Sequence, residues 1–546
     1  MNYGFVIDNR KCIGCHACTV ACKSEHDVPV GVNRTWVKQT EKGKFPDTRR
    51  LFSVLRCNHC EDAPCVTICP VEALYTREDG IVDFNNNRCI GCKSCMQACP
   101  YDALYIDPET QTAAKCNYCA PRIDVGLEPA CVNVCPEHAI ISGDMENPDT
   151  EIAQLLSREQ VTVRKPEKST KPNVYYIDGD LASLNPSTTE RSDRYFWNSQ
   201  SSGVGHYAKF VEGLAKKNDP ANPSGDVQIN TIKSTTTTYA GNTGQSCAAE
   251  TEKNGLNTND ARRIYDTPDK GILWGWEVSG YVLTKAISAG VLLVAFLAIL
   301  FNFSEVSEAT IWVSVIAGLV FLGATGVLLV MDLDQPKRFL YVILRPQWKS
   351  WLVRGGYSIS IYGLLLSLLG VFTFFEMKEA AMVTMWVSAA VAIMVAIYTA
   401  FLFAQAKGRD FWQSPTLAIH MLVHSFMAGA AFFSITNTLF GSSADWDLFL
   451  SYVLYIAIGI NLFVLIIELT MTHPTEDSKR VAHMITGGRY KNNFWFGTVL
   501  IGNVIPLVLV FIGGGWITAL AGILVIIGIY ITEKIWIEAP QRIQLT

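Results

Sequence analysis

Sixteen of the chain's 17 cysteines fall between Cys12 and Cys135, in four runs. The first is Cys12-x2-Cys15-x2-Cys18-x3-Cys22 and the second Cys57-x2-Cys60-x4-Cys65-x3-Cys69. The third is Cys89-x2-Cys92-x2-Cys95-x3-Cys99, and the fourth Cys116-x2-Cys119-x11-Cys131-x3-Cys135. The last three runs end in Cys-Pro. Each iron of a cubane needs one thiolate, so sixteen cysteines supply ligands for four [4Fe-4S] clusters. In a Cys-x2-Cys-x2-Cys-x3-Cys run the fourth cysteine ligates the other cluster of a pair, so the runs work two by two. Disulfides suit small secreted chains, and zinc ribbons need only isolated Cys-x2-Cys pairs. A fourth cysteine three residues on in every run fits neither.

The remaining polar residues of interest lie where the chain turns apolar. After Trp274 come eight apolar stretches of roughly 17 to 25 residues, each long enough to cross about 30 Å of hydrocarbon. They run over 280–302, 311–331, 351–375, 382–403, 417–440, 448–471, 496–513 and 516–532. Ionisable groups inside or at the ends of such spans are functional hypotheses by default. Asp332 and Asp334 end the second span, Arg354 and Tyr357 begin the third, and His420 and His424 lie one turn apart early in the fifth. Glu468 falls near the end of the sixth, so all seven share a narrow band of depth on one side. Each has a plainer reading: Arg354 and Asp334 as interfacial or loop ion-pairing groups, His424 as a helix-to-helix hydrogen-bonding residue, Glu468 as an interhelical partner. Asn461 and Asn503 are the weak polar candidates deeper in the bundle, and Trp351, Trp412 and Trp495 read as an interfacial belt.

These groups need elements to position them. Residues 1–190 read as short strands, such as 3–8 and 80–84, feeding ligand loops. The expected fold is an α+β ferredoxin-like cluster domain of two bacterial-type two-cluster units, one from the first and fourth runs and one from the second and third. Residues 191–273 are rich in Ser, Thr, Asn and Gly and read as a linker or extended wrap, with Cys247 a non-ligand thiol. Residues 274–546 form an all-α polytopic bundle of eight transmembrane helices.

The net charge of −5 gives no sign of nucleic-acid binding. Fourteen basic residues lie at the cluster-side ends of the spans (Lys270, Lys337, Arg338, Arg345, Lys349, Arg354, Lys407, Arg409, Lys479, Arg480, Arg489, Lys491, Lys534, Arg542), against Lys378 alone opposite. The positive-inside rule puts the cluster side in the cytoplasm, the alternative being that these charges dock the cluster domain in the periplasm. The opening residues have no basic stretch leading an apolar one, so neither a cleavable nor a twin-arginine signal is expected.

By all four runs, including the 11-residue gap in the fourth, the first 190 residues resemble the four-cluster ferredoxin subunit of membrane-bound molybdopterin oxidoreductases of the dimethyl sulfoxide reductase superfamily. The resemblance implies ligand quartets Cys12/Cys15/Cys18/Cys135, Cys22/Cys116/Cys119/Cys131, Cys57/Cys60/Cys65/Cys99 and Cys69/Cys89/Cys92/Cys95. Residues 275–546 resemble the NrfD/PsrC family of quinone-interacting anchors, through Asp332-Leu-Asp-Gln-Pro-Lys-Arg-Phe with Leu344-Arg-Pro-Gln-Trp-Lys-Ser-Trp, and Tyr398-Thr-Ala-Phe-Leu with Gln405-Ala-Lys-Gly-Arg-Asp-Phe-Trp. Asp334 and Gln335 stand where that family has glycine and arginine. The two resemblances together imply a fused, non-catalytic electron-transfer and anchor subunit in the cytoplasmic membrane of a bacterium or archaeon. Its partners are a molybdopterin (Mo or W) catalytic subunit, the lipid bilayer and a membrane quinone, ubiquinone or menaquinone. Asp332, Arg354, Tyr357, His420, His424 and Glu468 are the quinone-pocket candidates. His420 and His424 share one helix face and no other span contains a histidine, so no haem is expected. The second functional class is the iron-sulfur and quinone module of a proton-translocating complex resembling alternative complex III.

Overall fold

The computed structural model describes residues 1–44, 46–189, 261–302, 306–441 and 443–546. The expectation for Cys247, and most of the 191–273 segment, lies outside the described residues.

The cluster domain is built on two small sheets. β1 (Tyr3–Asp8) is fully inside, pairing antiparallel with β8 (Ile140–Asp144) and parallel with β10 (Val174–Ile177), and β9 (Val161–Thr162) completes the order β8-β1-β10-β9. The hairpin β2 (Thr35–Lys44) and β3 (Asp47–Arg56) accepts β11 (Ala261–Tyr265) on its outer edge. Residues 261–265, near the end of the polar segment, are thus a strand of a cluster-domain sheet. Two-stranded ribbons, β4 (Leu74–Thr76) with β5 (Val82–Phe84) and β6 (Tyr105–Ile106) with β7 (Ala113–Ala114), flank the third cysteine run.

The repeated Cys-Ile-Gly-Cys of the first and third runs makes the same turn twice. Gly14 and Gly91 both have φ +71°, followed by His16 and Lys93 in the left-handed region, and a helix then starts at Ala17 or Ser94. A left-handed glycine bends the backbone so that successive N–H groups converge on one concavity, as an anionic sulfur centre requires. Gly91 is also where the two halves of the molecule touch: a Cβ there would meet the Cβ of Asp334 at 2.6 Å.

The bundle has eight helices long and apolar enough to span a membrane among the described residues: α1 (Trp276–Leu300), α2 (Glu308–Met331), α3 (Trp351–Phe374), α4 (Lys378–Gln405), α5 (Thr416–Phe440), α6 (Ala444–Thr470), α7 (Asn493–Ile512) and α8 (Gly515–Gln541). Helices satisfy their own backbone groups in lipid, which is why the apolar stretches take this form. α1 and α5 are the central pair. Gly290 and Gly429 face each other so closely that a Cβ on Gly290 would lie 1.9 Å from the carbonyl oxygen of Ser425. Small residues let the helix backbones approach, and dispersion and hydrogen bonding follow. The first part of α7, Asn493–Val504, is π-helical, with Gly502 packed on Gly528 of α8. The expected eighth span stopped at 532, but α8 runs nine residues further, out of the apolar zone and into the cluster domain.

The first ferredoxin unit has a core of its own around Phe5, Trp36 and Tyr176. The second does not. Cys57 through Cys99 belong to one continuous apolar core with Trp274, Phe403, Trp412 and Trp536 of the bundle. Trp412 is therefore fully buried, not in an interfacial belt, because the cluster domain covers the face where sequence alone places a lipid boundary.

Candidate electron-transfer site

The sixteen cysteines gather in the four implied quartets, and none of them forms a disulfide. One cavity is bounded by Cys12, Cys15, Cys18 and Cys135, another by Cys69, Cys89, Cys92 and Cys95. Between these, Cys22 lies within electrostatic reach of Cys116, Cys131 and Cys119, and Cys65 of Cys99, Cys57 and Cys60. Cys57 neighbours Cys116, which joins the second quartet to the third, and Cys65 neighbours Cys95, joining the third to the fourth. The quartets thus form a line whose outer end, Cys15, is exposed.

The donor chemistry fits [4Fe-4S] clusters. Burial pushes the Cys18, Cys92 and Cys119 thiols up to about 12, a cost to the thiolate that a bound cation such as iron would offset. Around them are donors without oxygen acceptors. Arg56, fully buried, gives one Nη to Cys131 Sγ at 3.1 Å, while its Nε and other Nη have no protein partner. Backbone N–H groups of Ala73, Ala113 and Ala139 donate to Cys69, Cys89 and Cys135 sulfurs at 3.2–3.3 Å. Such hydrogen bonds to sulfur, with burial, are the means by which a protein sets cluster potentials.

The fourth quartet rests on the bundle. Lys93 Nζ donates to the Asp332 carbonyl at 2.8 Å and pairs with Asp334 at 3.1 Å; Arg338 donates to the Asn86 and Cys89 carbonyls at 2.7 and 2.9 Å. Gln347 N–H reaches the Pro70 carbonyl at 3.0 Å, and Ser350 Oγ the Ile68 carbonyl at 2.7 Å. Arg409 is buried between Gln97 Oε1 (2.9 Å) and the carbonyls of Pro540 and Ile543 (3.1 and 2.7 Å). Four of the fourteen cluster-side basic residues, Lys270, Arg338, Arg409 and Arg480, are thus tied to the cluster domain or to the chain end beside it.

Below Cys92 the bundle holds an aromatic column. Trp274 Nε1 donates to the Cys92 carbonyl at 3.1 Å, and its ring stacks on Phe403 and Trp412 at centroid distances of 5.7 and 5.6 Å. Trp412 Nε1 donates to the Trp536 carbonyl at 2.8 Å, and Trp536 lies 5.3 Å from the His420 ring. There the polar centre begins. Glu468 accepts from Thr416 at 2.9 Å and Trp536 Nε1 at 3.0 Å, and shares a hydrogen bond with His420 Nδ1 at 3.0 Å. His424 Nδ1 is 2.7 Å from Glu533, and Glu533 is 4.0 Å from His420 Nε2. Glu533 also lies within electrostatic reach of Lys285 and of Tyr281, and Tyr281 within reach of Asp332. Lys285 Nζ donates to Thr399 Oγ1 at 2.5 Å and sits 4.5 Å from the Tyr398 ring centre. Just past the cluster-side end of α2, burial pushes the Asp332 carboxyl up to about 7, against the pull of Lys93.

Three of the six pocket candidates, His420, His424 and Glu468, are therefore gathered, and Asp332 lies within electrostatic reach of Tyr281 beside them. The structure does not bring Arg354 or Tyr357 to them. Arg354 is exposed, donating to the Trp348 carbonyl at 2.8 Å, and Tyr357 donates to the Ile343 carbonyl at 2.8 Å. Sequence reading missed Lys285 and Glu533. Lys285 had a signal, being a lone cation within an apolar span. Glu533 lay one residue past the end drawn for the last span. His420 and His424 Nε2 are buried without partners, and with Glu533 their ligand atoms lie within 4.8 Å of one another.

A line of cysteine quartets docked on an eight-helix bundle with an ionisable centre under the innermost quartet defines a membrane-anchored iron-sulfur protein, multi-pass in the bilayer. Residues 11–74 and 48–145 match 4Fe-4S dicluster domains, and residues 267–539 match the family described as polysulphide reductase, NrfD. The chain belongs to that NrfD family, joined to 4Fe-4S dicluster domains. It is 48% identical to the B subunit of tetrathionate reductase from Salmonella typhimurium over 189 residues, 34% of this chain and 75% of that protein. It is 41% identical to PhsB, the electron transfer subunit of thiosulfate reductase from Salmonella typhi, over 176 residues (32% and 91%), and 41% identical to protein NrfC of Escherichia coli over 180 residues (32% and 81%). All three matches cover a third of the chain, and the NrfD match covers the bundle.

Proposed function

We propose that the protein is an electron-transfer and anchor subunit linking a membrane quinone pool to a separate molybdopterin (Mo or W) catalytic subunit. The sixteen cysteines would hold four [4Fe-4S] clusters in the quartets above, and Asp332, His420, His424, Glu468, Glu533 and Lys285 would serve the quinone. The observation that carries this reading is the contact between the two halves: the Cys92 loop is hydrogen-bonded to Trp274, whose stacked column ends on His420. When bound, the clusters would supply a row of one-electron centres.

Quinone chemistry exchanges two protons with two electrons, and the residues answer that need. Glu468, held by Thr416 and Trp536, orients the His420 ring through Nδ1 and leaves Nε2 buried without a hydrogen-bond partner, 4.0 Å from Glu533. Glu533 likewise orients His424 through Nδ1. Asp332, with a carboxyl poised about 7, is suited to exchange that proton with the cluster-side surface. The aromatic column and the shared core keep water from the space between cluster and pocket. The reading needs no haem.

The exposed Cys15 end offers the terminus for the catalytic partner. For sidedness we propose that the cluster domain faces the cytoplasm. Ten of the fourteen basic residues remain after those tied to docking are removed, against Lys378 alone on the far side. Protease accessibility of the cluster domain in inside-out against right-side-out vesicles tests it.

The main test is addition of quinol to the oxidised full-length protein in nanodiscs, followed by electron paramagnetic resonance. Reduced cluster signals are expected within the turnover time, and their absence with both ubiquinol and menaquinol overturns the quinone assignment. Molybdenum or tungsten in a copurifying large subunit supports the partner; c-type haem proteins in its place sink it. One observation favours the proton-translocating alternative. From Glu533 a polar track continues inward through Thr532 to Thr498 (3.0 Å), Asn503 to the Thr498 carbonyl (2.8 Å) and Asn461 to Asn503 (2.9 Å). Acidification of proteoliposomes during turnover distinguishes it.

A further inference from the structure

An open cavity of about 590 Å³ lies outside the polar centre, at the cluster-side ends of α7 and α8. Its polar rim carries Arg489, Lys534 and Arg542, with Tyr490, Asn493 and the single acid Glu538. Glu538 is already engaged: Tyr490 OH donates to it at 3.0 Å, and Lys534 lies 4.0 Å away. Arg542 Nε donates to the same Tyr490 oxygen at 2.7 Å, which fixes its guanidinium over the cleft. Three cations against one carboxylate leave a surplus of two positive charges in the rim. Below the rim the walls turn apolar, with Phe496 exposed by 61%, Ile531, and Gly497 packed on Ile531.

We propose that this cleft binds an anionic phospholipid, with its phosphate among Arg489, Lys534 and Arg542 and an acyl chain along Phe496 and Ile531. Planar guanidinium groups and an ammonium beside a phenol are the donor set a phosphodiester takes, and basic pockets between helices at a membrane surface suit such headgroups. The depth decides between a lipid and a free anion. The apolar wall belongs to the spans themselves, so water-soluble phosphate would leave Phe496 and Ile531 uncovered, whereas a phospholipid satisfies both halves. A quinone headgroup is neutral and makes no use of the surplus charge. The site is distinct from the His420–Glu468 centre, and its fate is independent of the quinone assignment.

The test uses full-length protein in nanodiscs of phosphatidylglycerol, of phosphatidylcholine, and of phosphatidylcholine with added inorganic phosphate, with retained lipid counted by native mass spectrometry after detergent extraction. Wild-type protein is expected to retain phosphatidylglycerol preferentially. The double variant Arg489→Gln/Lys534→Gln should retain it about 25-fold less well, at about fivefold for each basic residue, with its cluster spectra unchanged. Should the double variant fail to fold, the single variants read the same loss, about fivefold each. Equal retention by wild type and variants, equal retention of phosphatidylcholine, displacement by inorganic phosphate, or photolabelling of this cleft by a long-chain azidoquinone each overturn the proposal.

Discussion

The cluster domain and the bundle encode their chemistry in opposite ways. In the cluster domain the sulfurs are set by short spacings: Cys12, Cys15 and Cys18 lie within seven residues, on a loop turned at Gly14 and the first turn of the helix that follows. In the bundle the paired ionisable groups come from helices far apart in sequence. Glu468 of α6 holds His420 of α5, Glu533 of α8 holds His424, and Lys285 of α1 completes the set. Local geometry survives in a motif; a site assembled by helix packing has no motif. The difference also separates what each region tolerates. A cluster ligand is a bond to iron and has no substitute nearby, whereas a hydrogen-bonded pair among several ionisable groups can be weakened by degrees.

The largest effect is therefore expected in the cluster line. Cys99→Ser removes one ligand from the third quartet, midway between the exposed end and the membrane. Electron flow from quinol to the partner should fall to background, with iron content lower by about a quarter and one cluster signal lost. Retention of full flow would mean that the quartets are not a series, and would break the comparison at its root.

The bundle should respond next. Glu468→Gln keeps the shape of the side chain but removes the charge that orients His420, and His420→Ala removes the ring. Each is expected to slow quinol-driven cluster reduction by roughly 10²-fold, the scale of a lost proton-transfer group, with all clusters present by resonance. Unchanged rates in both would return these residues to interhelical packing. In the bundle, then, function and cluster content should separate, which they cannot do in the cluster domain.

These contrasts bear on how much was legible in the sequence. The four cysteine runs and the eight spans were, because ligand spacing and an apolar run of membrane length are both local properties. His420, His424 and Glu468 were legible as costly intramembrane polar groups, but their pairing was not, since it depends on which helices touch. Glu533 escaped because α8 continues nine residues beyond its apolar stretch, carrying Gln541 to Gln97 of the cluster domain at 2.6 Å. Trp412 misled for the same reason: a tryptophan at an apolar boundary reads as an interfacial anchor, and only the docked second ferredoxin unit turns that boundary into core. Where two domains share a core, the sequence of either one misjudges its own surface.

Asp332 sits on that shared boundary and should behave between the two extremes. Its carboxyl, pushed up to about 7 by burial, accepts a proton only when ionised. Quinol oxidation should therefore climb as pH rises through about 7 and level off above it. Asp332→Asn should flatten that limb and lower the plateau by about tenfold, less than the roughly 10²-fold of a full acid–base group. A pH profile of the same shape in the variant would assign the titration elsewhere.

The smallest effect is expected at the two pocket candidates that the structure leaves outside. Arg354 donates to the Trp348 carbonyl and lies 4.8 Å from the Trp351 ring centre; Tyr357 donates to the Ile343 carbonyl and stacks against Trp348 at 4.8 Å. Both secure the loop before α3 rather than any group of the polar centre. Arg354→Ala and Tyr357→Phe each remove a partly exposed hydrogen bond, and such changes usually stay within about 0.5 kcal/mol. Quinol-driven cluster reduction should stay within about twofold of wild type, since that energy is about a factor of two in an equilibrium. A loss as large as that of Glu468→Gln in either variant would mean that the quinone enters along the outer face of α3, and the site would have to be redrawn from the loop inward.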